Sequence, residues 1–208
     1  MKTSKDPFVP NPILGGSFGV FLLAAAAHNL SNGFFVGLGV AVSSIILSSL
    51  LPAVRAVAPE RLRAPIALSF AAALALLYAN LVTTLAPSTA AGLGVYLPLL
   101  AVNCLNLHVL RNLQLPPLRG EPMATRFGTV VRQASAYLLI ALVIGGIREA
   151  AGQGSLVIPA IFAGGGKILL TEEAPMQILA SPAGGLVLIG CAAALYRFFL
   201  RRTGRRIS

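Results

Sequence analysis

The sequence has little charge, few acidic side chains and almost no cysteine. Only 11% of its 208 residues are charged, six are acidic and two are cysteine, whereas 56% are apolar. So little polar surface cannot coat a soluble globule. Cys104 and Cys191 both fall in apolar runs, which argues against a disulfide scaffold. Those runs also lack a Ser/His/Asp set, paired carboxylates and a metal-binding carboxylate cluster, so hydrolysis by this chain alone is not indicated.

A net charge of +10 raises the question of a nucleic-acid partner. The basic residues are not gathered on one segment beside aromatic side chains that could stack on bases, and they alternate with apolar runs instead. We therefore expect no nucleic-acid partner, and we expect membrane lipid to surround most of the chain.

Six runs are long and apolar enough to cross a bilayer, since each crossing needs about 20 residues. They are Pro12–Leu30, Phe34–Val54, Ala64–Leu85, Gly92–Leu110, Gly128–Ile147 and Pro182–Leu200. None shows the alternating pattern of a barrel strand, so the spans must be helices. The sequence predicts an all-α integral membrane protein with a single transmembrane domain over residues 1–208.

The distribution of basic residues predicts the orientation, because lysine and arginine stay on the cytoplasmic side of short loops. Arg148 and Lys167 fall on one side of the six helices, and Arg132 lies near the start of helix 5, where its guanidinium can reach the interface. We expect a multi-pass protein of the inner (cytoplasmic) membrane with cytoplasmic termini and no removable signal peptide. Thirteen basic residues share the other, cytoplasmic side: Lys2, Lys5, Arg55, Arg61, Arg63, Arg111, Arg119, Arg126, Arg197, Arg201, Arg202, Arg205 and Arg206.

A short internal similarity suggests two inverted repeats. Gly19-Val20-Phe21-Leu22 in helix 1 matches Gly94-Val95-Tyr96-Leu97 in helix 4, and an asparagine follows each. Three helices repeated once insert with opposite orientation, which predicts repeats over about residues 12–86 and 91–200. Helices 1 and 4 are also interrupted by glycine and proline, which points to a site at mid-membrane or, alternatively, to close helix packing.

Three side chains are candidate metal ligands. Cys104 lies in the interrupted helix 4, and His108 follows four residues later on the same helical face, while His28 ends helix 1. The alternatives are a small core residue for Cys104 and ordinary hydrogen bonding for the histidines. We expect Cys191 to pack among small residues, and we expect Arg148 and Glu149 to form a local charged cap at the end of helix 5.

Three sequence motifs resemble those of the Rnf/Nqr family of membrane subunits, which belong to ion-pumping, ferredoxin- or quinone-linked NADH oxidoreductases. The most specific is the helix 4 run that ends in Asn103-Cys104. Gly146-Ile147-Arg148-Glu149 with Gly152 and Gly154 resembles the family element after helix 5, and the 59–65 segment, PERLRAP, resembles the loop before helix 3. These two, with cytoplasmic termini, favour the RnfE/NqrD branch.

The resemblance implies a 2Fe-2S cluster at mid-membrane, shared with a counterpart six-helix subunit and held by one cysteine from helix 1 and one from helix 4 of each chain. Cys104 matches the helix 4 ligand, whereas Phe21 stands where the family has the helix 1 cysteine. Three outcomes stay open: the cluster is lost, it is held by three cysteines and a substitute such as His28, or the chain is a divergent paralogue.

The predicted function is a membrane subunit of an ion-translocating electron-transport complex, acting only with its partner subunits and passing electrons across the bilayer near Cys104. The rival hypothesis is a cluster-free paralogue that acts as a small transporter or a structural membrane subunit. The predicted spans contain few polar side chains, so they offer little for a transported substrate to bind.

Overall fold

The computed structural model describes residues 17–114, 123–157, 166–169 and 176–202. Its helices are α1 (Ser17–Ala26), α2 (Leu30–Val57), α3 (Glu60–Leu85), α4 (Pro87–Leu93), α5 (Cys104–Gln114), α6 (Met123–Gln153), α7 (Gln177–Ala180) and α8 (Pro182–Arg202), with 3-10 turns at Gly94–Tyr96 and Pro98–Val102. Strands β1 (Ser155–Val157) and β2 (Lys167–Leu169) pair antiparallel. The helices therefore form the fold as expected, with a small hairpin beyond α6.

Three of the described helices are long and apolar enough to cross a membrane: Leu30–Val57, Glu60–Leu85 and Phe127–Gln153. The segments Pro87–Tyr96 and Pro98–Arg111 meet at a bend of 50° and make a fourth span if they cross together. Pro182–Ala192 is a shorter apolar helix. The expected interruption of helix 4 is thus confirmed, and the chain is a mostly helical membrane protein.

The first helix differs from its prediction. The described part, α1, ends at Ala26 instead of Leu30, and a break at Ala27–Asn29 separates it from α2. Helix α2 begins at Leu30, four residues before the expected Phe34, because Asn29 caps it with its side-chain oxygen. Residues 12–16, which the prediction also placed in helix 1, lie outside the described part of the chain.

Two other helices are longer than predicted. Helix α3 begins at Glu60 after the extended residue Pro59, and it tolerates Pro65 close to its start. Helix α6 runs from Met123 to Gln153, so it begins before Gly128 and ends after Ile147, the predicted bounds. The apolar runs predicted both helices too short. The backbone hydrogen bonds of each helix continue past its apolar run into polar residues.

Helices α2 and α6 make the most extensive helix contact in the described structure. They run antiparallel, since Gly33 of α2 faces Ala141 while Gly145 of α6 faces the carbonyl of Asn29. A Cβ atom at Gly33 would lie 2.5 Å from the Ala141 carbonyl oxygen, and one at Gly145 would lie 2.6 Å from the Asn29 oxygen. Glycine at these positions therefore allows the two backbones to approach closely.

Helix α3 lies at the edge of the bundle. Its buried residues recur about every fourth position, at Ala67, Ala71, Ala75, Tyr78 and Val82, which forms one narrow stripe. The rest of the helix exposes large apolar side chains such as Leu76, Leu77 and Leu81. In a membrane protein such a surface faces lipid or another subunit.

Candidate functional site

Asparagine caps the helix that follows each of the two breaks. Asn29 Oδ1 accepts a hydrogen bond from the backbone N–H of Asn32 at 2.6 Å. Asn103 Oδ1 accepts from the backbone N–H groups of Leu105 at 2.9 Å and Asn106 at 3.0 Å. The same sequence spacing separates Asn29 from Asn103 and Asn32 from Asn106. The two breaks thus share one local design, in which a side-chain oxygen satisfies donors that the helix start leaves free.

The second break is tied to α2 by a buried polar network around Asn106. Its Oδ1 accepts a hydrogen bond from the Ser44 hydroxyl at 2.9 Å, and its Nδ2 donates to the Ser43 oxygen at 3.2 Å. The same Nδ2 donates to the carbonyl of Leu100 at 3.1 Å, in the preceding 3-10 turn. Because Ser43 and Ser44 lie at the middle of α2, the network ties the second break to the middle of that helix.

Cys104 is the first residue of α5 and is buried. The Tyr137 side chain, at the middle of α6, is also fully buried, and its hydroxyl has no hydrogen-bond partner among the described residues. A helix start favours negative charge, because its free N–H groups and the helix dipole point toward it. The helix start therefore favours the charge of a metal-bound thiolate, whereas the burial of the sulfur opposes a free thiolate.

The first break is held by Arg148, which lies in the last part of α6 and is fully buried. Its Nη1 donates to the carbonyls of Ala24 at 2.7 Å and Ala27 at 2.8 Å, at the end of α1. Its Nε and Nη2 donate to Leu179 at 3.1 Å and Ser181 at 2.9 Å, at the end of α7. One guanidinium thus satisfies carbonyls at two helix C-termini, where positive charge is favourable.

Glu149 completes this arrangement on the other side of the break. Its carboxylate is fully buried and accepts hydrogen bonds from the backbone N–H of Leu30, the first residue of α2, at 2.8 Å, and of Val157 in β1 at 2.6 Å. The expectation that Arg148 and Glu149 form only a local cap of their own helix is wrong. They bind the ends of α1, α2, α7 and the hairpin, with each charge matched to the helix dipole.

The structure places the predicted ligands in different surroundings. His28 lies in the first break, half-buried, and accepts a hydrogen bond from Asn32 Nδ2 at its Nε2 at 2.9 Å. His108 lies one turn after Cys104 on α5 and is also half-buried. In the part of the chain that the structure describes, no three His, Cys, Asp or Glu side chains form a group that could hold a metal ion.

Two further residues can be compared with their predictions. Cys191 is exposed on α8, so the expectation that it packs among small residues is wrong for this chain. Its neighbours are small, but the helix presents this position to the outside of the bundle. Arg132 is exposed in the first half of α6, and the reach of its guanidinium to the interface stays a prediction.

Several important residues were not singled out from the sequence. Asn106, Ser43 and Ser44 form the central network, and the fully buried Tyr137 has a hydroxyl without a partner among the described residues. The recurrence of Asn-x-x-Asn at residues 29–32 and 103–106 is the one sequence signal that could have identified part of this set. Serine and tyrosine are common inside apolar helices, so Ser43, Ser44 and Tyr137 carry no comparable pattern.

The comparisons with known proteins agree with one family across nearly the whole chain. Residues 3–193 match the family described as Rnf-Nqr subunit, membrane protein. The E subunit of an ion-translocating oxidoreductase complex from Shewanella sp. strain ANA-3 is 27% identical over 193 residues, covering 89% of this chain and 81% of the relative. The protein of the same name from Shewanella loihica is 30% identical over 155 residues, covering 70% of this chain and 61% of the relative.

The name of a third relative also specifies an ion and two redox partners. The E subunit of the Na(+)-translocating ferredoxin:NAD(+) oxidoreductase complex from Acetobacterium woodii is 24% identical over 187 residues, covering 89% of each chain. The family match extends over α1 to α6 and into α8, and thus includes both breaks and Cys104. The chain belongs to the Rnf-Nqr family of membrane subunits.

Proposed function

We propose that this chain is the E-type membrane subunit of an ion-translocating electron-transport complex and passes electrons across the bilayer near Cys104. Family membership supports the membrane-subunit role, and the names of the Shewanella and Acetobacterium relatives support the kind of complex. The observation that carries the proposal is the position of Cys104: a buried sulfur at a helix start, in a break that Asn103 caps and Asn106 ties to the middle of α2.

The donor chemistry around Cys104 fits one ligand of a metal centre. Cys104 would hold the metal through its sulfur, and the start of α5 would stabilise the charge of a metal-bound thiolate. When bound, such a cluster supplies one-electron transfer at a depth that water does not reach. The chain itself holds the sulfur at a fixed position through Asn103 and excludes water with the surrounding apolar side chains.

The described residues supply one thiolate and no complete ligand set, so the proposed 2Fe-2S cluster requires a second subunit. We propose the counterpart six-helix subunit as that partner, within a complex of further subunits. His28 is a substitute ligand by residue type, but it lies at the other break and is engaged by Asn32. The ligand set that replaces the cysteine absent at Phe21 is thus the first question for experiment.

We also propose six spans arranged as two inverted repeats, over about residues 12–86 and 91–200, with both termini on the cytoplasmic side of the inner membrane. The two asparagine-capped breaks at equivalent spacing support the repeat. Four spans have candidates among the described helices, if the bent pair counts as one. Helices α1 and α8 would supply the other two.

The test is the iron content and EPR spectrum of the complex purified through this subunit with its native partners, beside a Cys104→Ala variant. An EPR signal from iron that the variant loses, in a complex that still assembles, is the expected result. A well-assembled complex without iron, or one whose signal Cys104→Ala leaves unchanged, would contradict the proposal. That result would favour a cluster-free transporter or structural subunit.

A further inference from the structure

A groove of about 360 Å³ opens between α2 and α3. Its wall on α2 extends from Gly39 to Ile46, and its wall on α3 extends from Leu74 to Thr84. At about 3.6 residues per turn, this α2–α3 groove follows α2 for about two turns and α3 for about three. The side chains of a third helix can pack into a groove of this form, since rows of side chains on one helix fit between those of another. A lipid chain fits it as well, so the shape alone does not identify the occupant.

The polar side chains of the α2–α3 groove distinguish these two occupants. The hydroxyls of Ser43, Tyr78 and Thr84 donate hydrogen bonds to backbone carbonyls at 3.1, 2.6 and 2.8 Å, so they need no partner from outside the chain. The amide of Asn80 differs, because it is exposed and makes no hydrogen bond to another described residue. It offers two N–H donors and a carbonyl acceptor to whatever lies in the groove.

Asn80 lies where a lipid chain would leave that amide without a partner. It falls inside the predicted span Ala64–Leu85, on the face of α3 where Leu77 and Leu81 are 71% and 52% exposed. Lipid chains neither donate nor accept hydrogen bonds, and the hydrocarbon core holds no water that could do so. A helix of another protein supplies both apolar packing and a hydrogen bond, and asparagine is among the side chains that join helices in membranes in this way.

We propose that the α2–α3 groove binds a transmembrane helix of another subunit of the complex, and that Asn80 forms a hydrogen bond with a polar side chain of that helix. This inference rests on the proposed function only in that the chain has partner subunits, and it requires no metal at Cys104. It accounts for an exposed amide inside a span, and it identifies the surface of α3 that another subunit covers.

The first test identifies the occupant of the groove by photo-crosslinking. A photoreactive benzoylphenylalanine is placed at the position of Leu77, which lines the groove and is 71% exposed. Membranes that contain the whole complex are irradiated before purification through a tag on this chain, with a non-irradiated sample as the control. We expect an adduct with a transmembrane helix of one other subunit, identified by mass spectrometry. Adducts with lipid alone, or only with a second copy of this chain, would contradict the proposal.

The second test removes the amide and keeps the size of the side chain. It compares Asn80→Leu with Thr83→Val, because Thr83 is also exposed on α3 but lies outside the groove, and its hydroxyl already donates to the Ala79 carbonyl at 2.8 Å. In a purification through this chain, Asn80→Leu should retain the crosslinked subunit at about one third of the unsubstituted level or less, the effect of one average interhelical hydrogen bond. Thr83→Val should retain it fully. Equal retention in the two variants would overturn the role of Asn80.

Thermal unfolding of the isolated chain in detergent separates the interface from folding. Asn80→Leu should melt there like the unsubstituted protein, since Asn80 then has no partner to lose. A lower melting temperature would show that the amide acts within the chain, which would contradict the proposal. If iron that depends on Cys104 is present but the groove holds only lipid, this inference fails and the electron-transfer proposal stands. If the chain co-purifies with no other subunit, both fail.

Discussion

At the scale of single residues, Asn106 shows how the polar core of this membrane protein is built. It is fully buried, and its amide forms hydrogen bonds with Ser43 and Ser44 of α2 and with the Leu100 carbonyl in the 3-10 turn before Cys104. Each group alone would be costly inside the membrane, where water cannot replace a missing partner. Joined by one amide, they fix the position of the helix break relative to the middle of α2.

We predict that Asn106→Ala destabilises the protein by about 3 kcal/mol, because it leaves two serine hydroxyls and the Leu100 carbonyl with fewer partners. The chain contains no tryptophan, so thermal unfolding in detergent is best followed by circular dichroism of its helices. Asn80→Ala is the matched control, since Asn80 is exposed on α3. Similar melting curves for the two variants would show that the Asn106 network contributes little.

The sequence singled out Cys104 as a candidate ligand but did not identify the buried polar side chains of other helices. Cys104 follows an asparagine in an interrupted span, which is a local pattern. Tyr137 lies on a different helix, and the fact that its hydroxyl lacks a partner among the described residues is visible only once the helices are packed. Relations of this kind depend on tertiary structure, and composition and spacing do not record them.

At the scale of elements, the break after α1 depends on charges that come from a different helix. Arg148 satisfies carbonyls at the ends of α1 and α7, and Glu149 satisfies the first N–H of α2. Gly185 of α8 leaves room for the guanidinium, since a Cβ atom there would lie 3.0 Å from the Arg148 Cζ. The pair therefore connects the last helices of the chain to its first break.

We predict that Arg148→Lys destabilises the protein by about 3 kcal/mol although it keeps the charge. A single ammonium group cannot reach four carbonyls on two helices, which the planar guanidinium does with Nε, Nη1 and Nη2. Arg132→Lys, at an exposed position of the same helix, is the control and should melt like the unsubstituted protein. If Arg148→Lys melts with the control, the carbonyl contacts are not what holds the break.

Helix existence was predictable here, and helix ends were less so. The apolar runs identified α2, α3, α6 and α8, because a span must be long and apolar whatever its neighbours are. Gly19, one of the glycines expected to interrupt the first helix, lies within α1, while the structure shows a break at Ala27–Asn29 that no glycine marks. Its place is set by the Asn29 cap and by Arg148 and Glu149, and only the cap is local in sequence.

At the scale of the whole molecule, both breaks are held by groups distant in the chain, which joins the two proposed repeats into one unit. Arg148 and Glu149, from the second repeat, hold the break of the first. Ser43 and Ser44, from the first repeat, hold the break of the second through Asn106. We infer that neither repeat forms its break alone, since each lacks the side chains that satisfy the freed backbone groups.

The proposed orientation predicts which loops face the cytoplasm. Arg61, in the first turn of α3, should lie on the cytoplasmic side. Gly166, just before β2, should lie on the opposite side. Both positions are exposed, and a side chain at Gly166 would meet no atom within 4 Å. Single cysteines at either position are therefore tolerable probes, in a Cys191→Ala background that retains the buried Cys104.

A membrane-impermeant maleimide added to intact cells, with the outer surface of the inner membrane accessible, should label Gly166→Cys and leave Arg61→Cys unlabelled until the membrane is opened. The background protein is the control for reaction at Cys104. The reverse labelling pattern would invert the topology and place most of the basic loops outside. Because lysine and arginine are retained on the cytoplasmic side, such a result would contradict the charge argument and the orientation of both repeats together.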